Sequence, residues 1–148
     1  MNRLTIAVAL AGLLTILAAC TGGGEETTET RTVPVRMFDD MRYDPAEFDV
    51  FAGETIVFEV TNSGEVPHEF FLADLAGHEE HAAEMREGGH ADDAHGTPDG
   101  LNLEAGETAT LEYTFAEAGE LLVGCHQPGH YEAGMVAPIT VHPAGGSN

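Results

Sequence analysis

Residues 108–115 read Thr-Ala-Thr-Leu-Glu-Tyr-Thr-Phe, and the alternation is strict: Ala109, Leu111, Tyr113 and Phe115 interleave with Thr108, Thr110, Glu112 and Thr114. A period of two puts the two sets on opposite faces, which predicts a half-buried strand of an antiparallel sheet. Toward the C-terminus, Ala118-Gly119 turns the chain into a strand over Glu120–Gly124, and Met135–His142 reads as the last strand. Toward the N-terminus, Thr55–Thr61 puts Ile56, Phe58 and Val60 on one face, and Asn62-Ser63-Gly64 closes it with turn chemistry. Gly53-Glu54 separates that strand from an extended piece at Phe48–Phe51, and Val33–Phe38 has the β-branched and aromatic content of a first strand. Val66–Leu72 is a further strand whose Pro67 predicts an edge or a bulge. Short strands separated by Gly and Pro turns, with a single helical stretch, predict an all-β fold, a β-sandwich.

The 148 residues fit one domain, and 43% hydrophobic content is enough for a core. Five basic residues, all arginine (Arg3, Arg31, Arg36, Arg42, Arg86), stand against 26 acidic ones. No patch able to grip a phosphate backbone can be built from them, which excludes nucleic acid as a partner. The formal net charge of −21 favours either fast association with a positively charged partner at low salt or plain solubility.

Residues 1–19 read as a signal peptide: Arg3 supplies the positive start and Leu4–Ala19 carries no charge. The run is short for a membrane span. It ends in Leu17-Ala18-Ala19-Cys20, which resembles a bacterial lipobox and implies lipidation of Cys20, with the mature chain held to a membrane outside the cytoplasm. Thr21–Thr32 (TGGGEETTETRT) suits a tether, so that residues 20–32 precede a folded domain over 33–142 and a tail over 143–148. With Cys20 acylated, Cys125 is the one remaining thiol of an exported chain and needs a role, as a buried hydrophobe or as a metal ligand.

Gly77–Asp99 departs from the strand pattern. It holds His78, His81, His90 and His95 among seven acids and few apolar residues, and reads as an insertion with a short helix over Glu79–Glu87. His78, His81 and Met85 are spaced to share one helix face. With His90 and His95 they form a possible second copper site; the competing reading is an acidic, soluble loop that happens to contain histidines.

The stretch that carries chemistry is Cys125-His126-Gln127-Pro128-Gly129-His130-Tyr131-Glu132-Ala133-Gly134-Met135. It places a thiolate, an imidazole and a thioether at C-x4-H-x4-M in one loop between two strands. Thiolate and thioether select a soft metal, and imidazole serves both oxidation states of copper, so copper explains all three residues together. Pro128-Gly129 allows the loop to fold back tightly. A second imidazole must come from elsewhere, and His68 in Val66-Pro67-His68-Glu69-Phe70-Phe71 is the best candidate. Alternation along the chain points His126 to the opposite face from Cys125, as a surface residue. Met37 and Met41 read as core or surface residues.

These two segments and their separation resemble the cupredoxin, or type 1 blue copper, family, with a ligand loop similar to those of azurin, auracyanin, rusticyanin and sulfocyanin. The resemblance spans Val33–Val141. It implies a Greek-key β-sandwich, His68, Cys125 and His130 as trigonal ligands of one copper, and Met135 as the weak axial ligand. It also implies that the main-chain N–H of the residue after the first histidine, here Glu69, is directed at the thiolate sulfur. Many family members carry Asn or Ser there, so Glu69 departs from the pattern without removing the N–H. The family passes electrons through the edge of the second histidine, which implies that His130 lies near the surface. HEFFLADLAGHEEHAAEMRE (68–87) further resembles a subgroup of periplasmic cupredoxins associated with copper tolerance.

Two functions follow from the resemblance: a membrane-tethered one-electron carrier that exchanges electrons with a redox partner protein, and a copper-handling protein that binds, buffers or detoxifies copper. Neither has a small-molecule substrate. A copper enzyme is disfavoured, because such enzymes need a second centre and usually a second domain, and no second cysteine-containing loop exists in the chain.

Overall fold

The computed structural model describes residues 30–87 and 99–145. Its elements in chain order are β1 (Thr30–Phe38), β2 (Arg42–Asp44), β3 (Phe48–Phe51), β4 (Thr55–Asn62), β5 (His68–Ala73), α1 (Leu75–Arg86), β6 (Gly100–Leu103), β7 (Thr108–Thr114), β8 (Gly119–Gly124) and β9 (Val136–His142). Two sheets form, one of order β2-β1-β4-β7 and one of order β3-β9-β8-β5-β6. β1 runs parallel to β4 and β3 parallel to β9, while the remaining pairs are antiparallel. This is the β-sandwich that the strand pattern predicted, in the Greek-key form that the resemblance implied.

The alternating stretch behaves as its period requires. On β7, Leu111 is buried and Ala109 and Tyr113 are half-buried, with Phe115 buried just beyond, while the threonines and Glu112 face solvent. Its neighbour β4 turns Ile56, Phe58 and Val60 inward, all fully buried. Between the sheets Phe58 meets Phe48 and Phe70 with ring centroids 5.7 and 5.2 Å apart, and Met37 is fully buried beside them. Each such side chain contributes about 1.5–3 kcal/mol by leaving water.

Several boundaries differ from the sequence reading. β1 begins three residues before Val33, because residues 30–32 continue its ladder along β4 at Thr30↔Thr55, Arg31↔Ile56 and Thr32↔Val57. Pro67 lies just outside β5, which is an interior strand and not an edge, so the missing N–H interrupts no ladder. β2 and β6 escape the periodicity because three and four residues are too few to show it. The helix starts at Leu75, four residues before the predicted Glu79, because the Asp74 side chain caps it by accepting from the Gly77 N–H at 2.8 Å. Met1–Glu29, including Arg3, Cys20 and most of the tether, and 88–98, including His90 and His95, lie outside the described residues. No helix among the described residues is long and apolar enough to cross a membrane.

Candidate metal centre

β5 and β8 are antiparallel neighbours, paired at Phe71↔Gly124, Leu72↔Val123 and Ala73↔Leu122. The start of β5 and the end of β8 therefore meet at one end of the sandwich, which brings His68 against the segment that begins at Cys125. The loop from Cys125 to Met135 is tied across its base by the Cys125 N–H donating to the Met135 carbonyl at 3.2 Å. Inside it, His130 N–H donates to Gln127 O at 2.9 Å and Met135 N–H to His130 O at 3.0 Å. Gly129, at φ +84°, supplies the left-handed turn expected from Pro128-Gly129.

This folding gathers His68, Cys125 and His130 so that their ligand atoms all lie within 4.8 Å of one another, the one group of three or more such donors found among the described residues. Cys125 Sγ stands 3.3 Å from His130 Nδ1, and the rings of His68 and His130 are 4.9 Å apart. Met135 is fully buried at the foot of the same loop, and His130 is half-buried, nearer the surface than the other two. His68 is fully buried, and its Nδ1 is the one buried side-chain nitrogen or oxygen among the described residues without a hydrogen-bond partner. Leaving a buried polar atom unpaired costs about 1–3 kcal/mol. Its Nε2 sits 3.0 Å from Asp39 Oδ1, which fixes the ring so that the orphaned Nδ1 faces Cys125 and His130. An unpaired lone pair beside a thiol and a second imidazole fits a soft metal ion.

The protons of the site agree. Burial pushes the Cys125 thiol up to about 11, while the main-chain N–H groups of Glu69 and Gln127 pull it the other way. A coordinating metal ion deprotonates such a thiol outright. Burial, together with the nearby His68, lowers the pKa of His130, so its imidazole is neutral and available as a donor. The Glu69 N–H donates to Cys125 Sγ at 3.3 Å, as the resemblance implied.

The family of copper binding proteins described as plastocyanin/azurin matches residues 31–142. The chain belongs to this family; it is a cupredoxin. Among curated proteins it is similar to the copper-resistant cuproprotein CopI of Rubrivivax gelatinosus, 40% identical over 118 residues that make up 80% of this chain and 70% of that one. It is also similar to CopI of Pseudomonas aeruginosa, 36% identical over 141 residues, 77% of each chain. Its fold is similar to the reduced auracyanin of Roseiflexus castenholzii (TM-score 0.66, 23% identity, 76% of this chain and 97% of that one) and to auracyanin A of Chloroflexus aurantiacus (TM-score 0.63, 23% identity, 76% and 99%).

In this cupredoxin the donor set fits copper: His68, Cys125 and His130 are the candidate group that could hold it, and the main chain of the buried Met135 is bonded to that of Cys125 and His130. The residues around them include several that the sequence reading missed. Asp39, which orients His68, also accepts the Glu65 N–H at 2.8 Å, and these bonds hold its carboxyl below the usual range. A Cβ on Gly64 would stand 2.0 Å from Asp39 Oδ1 and 3.1 Å from His68 Nε2, so any side chain here would force the Asp39 carboxylate to shift. Nothing local in Phe38-Asp39-Asp40 signals this, because the partner lies 29 residues away.

His126 is a correction. It does point away from Cys125, but it is buried and not on the surface, since α1 covers that side of the loop. Glu69 is buried there as well: Oε1 lies 2.7 Å from His81 Nε2, and Oε2 accepts the His126 N–H at 2.8 Å. His126 Nε2 in turn meets His78 Nδ1 at 2.9 Å, and its ring stacks on Tyr131 at 4.6 Å. Burial holds His126 down at about 4 and lowers the pKa of His78, so both rings are neutral at neutral pH. Of the proposed second set, His78 and His81 are both buried on α1, while Met85 is half-buried and lines a cavity beside His126. The departure of Glu69 from Asn or Ser thus has a physical reason in this chain: its carboxylate joins the first ligand strand, the ligand loop and the helix.

Proposed function

We propose that this cupredoxin serves copper resistance outside the cytoplasmic membrane, binding copper at His68, Cys125, His130 and Met135 while tethered through a lipid on Cys20. The observation that carries the reading is the orphaned Nδ1 of the buried His68, aimed at a thiol and an imidazole, in a chain 40% identical to a copper-resistant cuproprotein. Bound copper supplies a soft, one-electron redox centre. The chain's own residues do the rest. Asp39 orients His68, the Glu69 N–H stabilises negative charge on the sulfur, and Pro128 with Gly129 shapes the loop that carries His130. Burial of Cys125 and Met135 keeps water from the sulfurs.

A second reading, a tethered one-electron carrier, is favoured by the half-buried position of His130, which offers a partner protein a short path to the site. Both readings describe a binding protein and not an enzyme. Complementing a strain that lacks this protein separates them: under resistance, wild type restores growth on copper and Cys125→Ser does not. If growth on copper is unaffected by the deletion, the resistance reading fails. Cys20→Ser should move the protein from the membrane fraction to the soluble exported fraction, and continued membrane association would overturn the lipid tether.

A further inference from the structure

We propose that Tyr43 is a positioning residue of the copper centre: from the opposite sheet, its hydroxyl holds the Glu69 backbone where the Glu69 N–H can reach the Cys125 sulfur. The inference rests on copper binding at Cys125, and it adds a residue of β2 to a site built from β5 and the ligand loop.

Alternate residues of an antiparallel strand bond to opposite neighbours. On β5 the Leu72 N–H donates to the Asp99 carbonyl on the β6 side, so the main-chain groups of Glu69 and Phe71 face β8. The register that pairs Phe71 with Gly124 would next place Glu69 opposite His126, but β8 and its ladder end at Gly124. The first three N–H groups beyond it are committed elsewhere. Cys125 donates to the Met135 carbonyl at 3.2 Å, His126 to Glu69 Oε2 at 2.8 Å, and Gln127 to the Cys125 sulfur. The N–H and the carbonyl of Glu69 are therefore buried at a point where the sheet offers them no partner, and both must find one outside it.

The N–H takes the Cys125 sulfur, at 3.3 Å. Thiol sulfur is a weak acceptor, so this bond alone does little to fix the backbone. The carbonyl takes the Tyr43 hydroxyl, which donates to it at 2.7 Å. Tyr43 is itself well held: it is 2% exposed, pairs with Met37 of β1, and its ring meets Phe70 edge-on at 5.9 Å. Burial raises its pKa well above the usual tyrosine range, so the hydroxyl stays a donor. Phenylalanine would fill the same apolar space, so packing does not account for the oxygen; the Glu69 carbonyl does. An N–H aimed at the sulfur draws charge from the thiolate and favours Cu(I) over Cu(II). Through the Glu69 backbone, Tyr43 therefore keeps the reduction potential high.

The test compares Tyr43→Phe with wild type in the full chain, first without metal and then with copper. Amide hydrogen exchange of the metal-free wild type, read by NMR, should show the Glu69 N–H as protected as that of Phe70. In Tyr43→Phe the Glu69 N–H should exchange at least tenfold faster, over and above any change at Phe58 on β4, which reports global opening. With copper bound, the variant should keep the thiolate band. Its Cu(II)/Cu(I) ratio at a fixed potential should rise about threefold, a fall in reduction potential of about 30 mV at about 59 mV per tenfold. Tyr113→Phe, which removes a hydroxyl from β7, should change neither readout. An unprotected Glu69 N–H in wild type overturns the proposal even if Tyr43→Phe folds poorly. A Tyr43→Phe that matches wild type in either readout overturns it too, as does a Tyr113→Phe that reproduces both shifts. A wild type without the thiolate band overturns the copper reading and the role in the potential with it, whereas unchanged exchange at Glu69 with the band intact overturns Tyr43 alone.

Discussion

Two adjacent residue pairs, His68-Glu69 on one strand and Cys125-His126 after another, send alternate side chains to opposite sides of the ligand loop. On one side His68, Cys125 and His130 leave a buried nitrogen unpaired and a thiol without a strong partner. On the other, Glu69, His126, His78 and His81 join one another through hydrogen bonds of 2.7–2.9 Å. The contrast teaches where each side draws its stability. The first side keeps donor atoms free for an ion; the second is held by its own hydrogen bonds and clamps α1 to the loop.

Breaking the clamp should have the largest effect on folding. Glu69→Ala strands the buried His126 N–H and removes the carboxylate that meets His81 Nε2, and should cost about 2–4 kcal/mol of unfolding free energy in denaturant titration. The thiolate band should persist, because the N–H that reaches Sγ belongs to the main chain. If the band vanishes while the protein stays folded, the two sides are not separable in this way.

The opposite pattern is expected at Asp39, which is 41% exposed and bonds to His68 and to the Glu65 N–H on the copper side. Asp39→Ala should lower copper affinity about 10- to 100-fold in competition with a chelator. Its effect on unfolding should stay under about 1 kcal/mol. Gly64→Ala should act through the same carboxylate and give a smaller loss of affinity, since Asp39 can swing aside from the added methyl.

The copper side was legible because its signal is local: C-x4-H-x4-M lies within eleven residues, and only His68 had to be fetched from elsewhere. The strands with strict alternation were legible for the same reason, as β7 and β4 demonstrate. The helix side was not, because His126 pairs with His78 across 48 positions and Glu69 with His126 across 57. Alternation gave the direction of His126 correctly and its burial wrongly, since strand periodicity carries no information about what later covers a face. Asp39 was hidden in the same way, as one of 26 acidic residues with nothing in its neighbours to mark it. The helix start could have been found from the sequence, because Asp74 three residues before Gly77 is a capping position.

Met135→Leu should have the smallest effect on binding. Copper should stay within a few-fold of wild-type affinity, because the axial thioether is the weak ligand, while the reduction potential rises. The rise follows from removing an electron donor that favours Cu(II) over Cu(I). Protein film voltammetry reads it directly, and an unchanged potential would remove Met135 from the site.

The central claim is that copper sits on the Cys125 sulfur between His68 and His130. The most direct measurement is the visible spectrum of the full chain after one equivalent of Cu(II), compared with that of Cys125→Ser. The structure predicts an intense thiolate-to-copper band in the wild type and none in the variant. A wild type without the band, or a variant that keeps it, would contradict the assignment of the site.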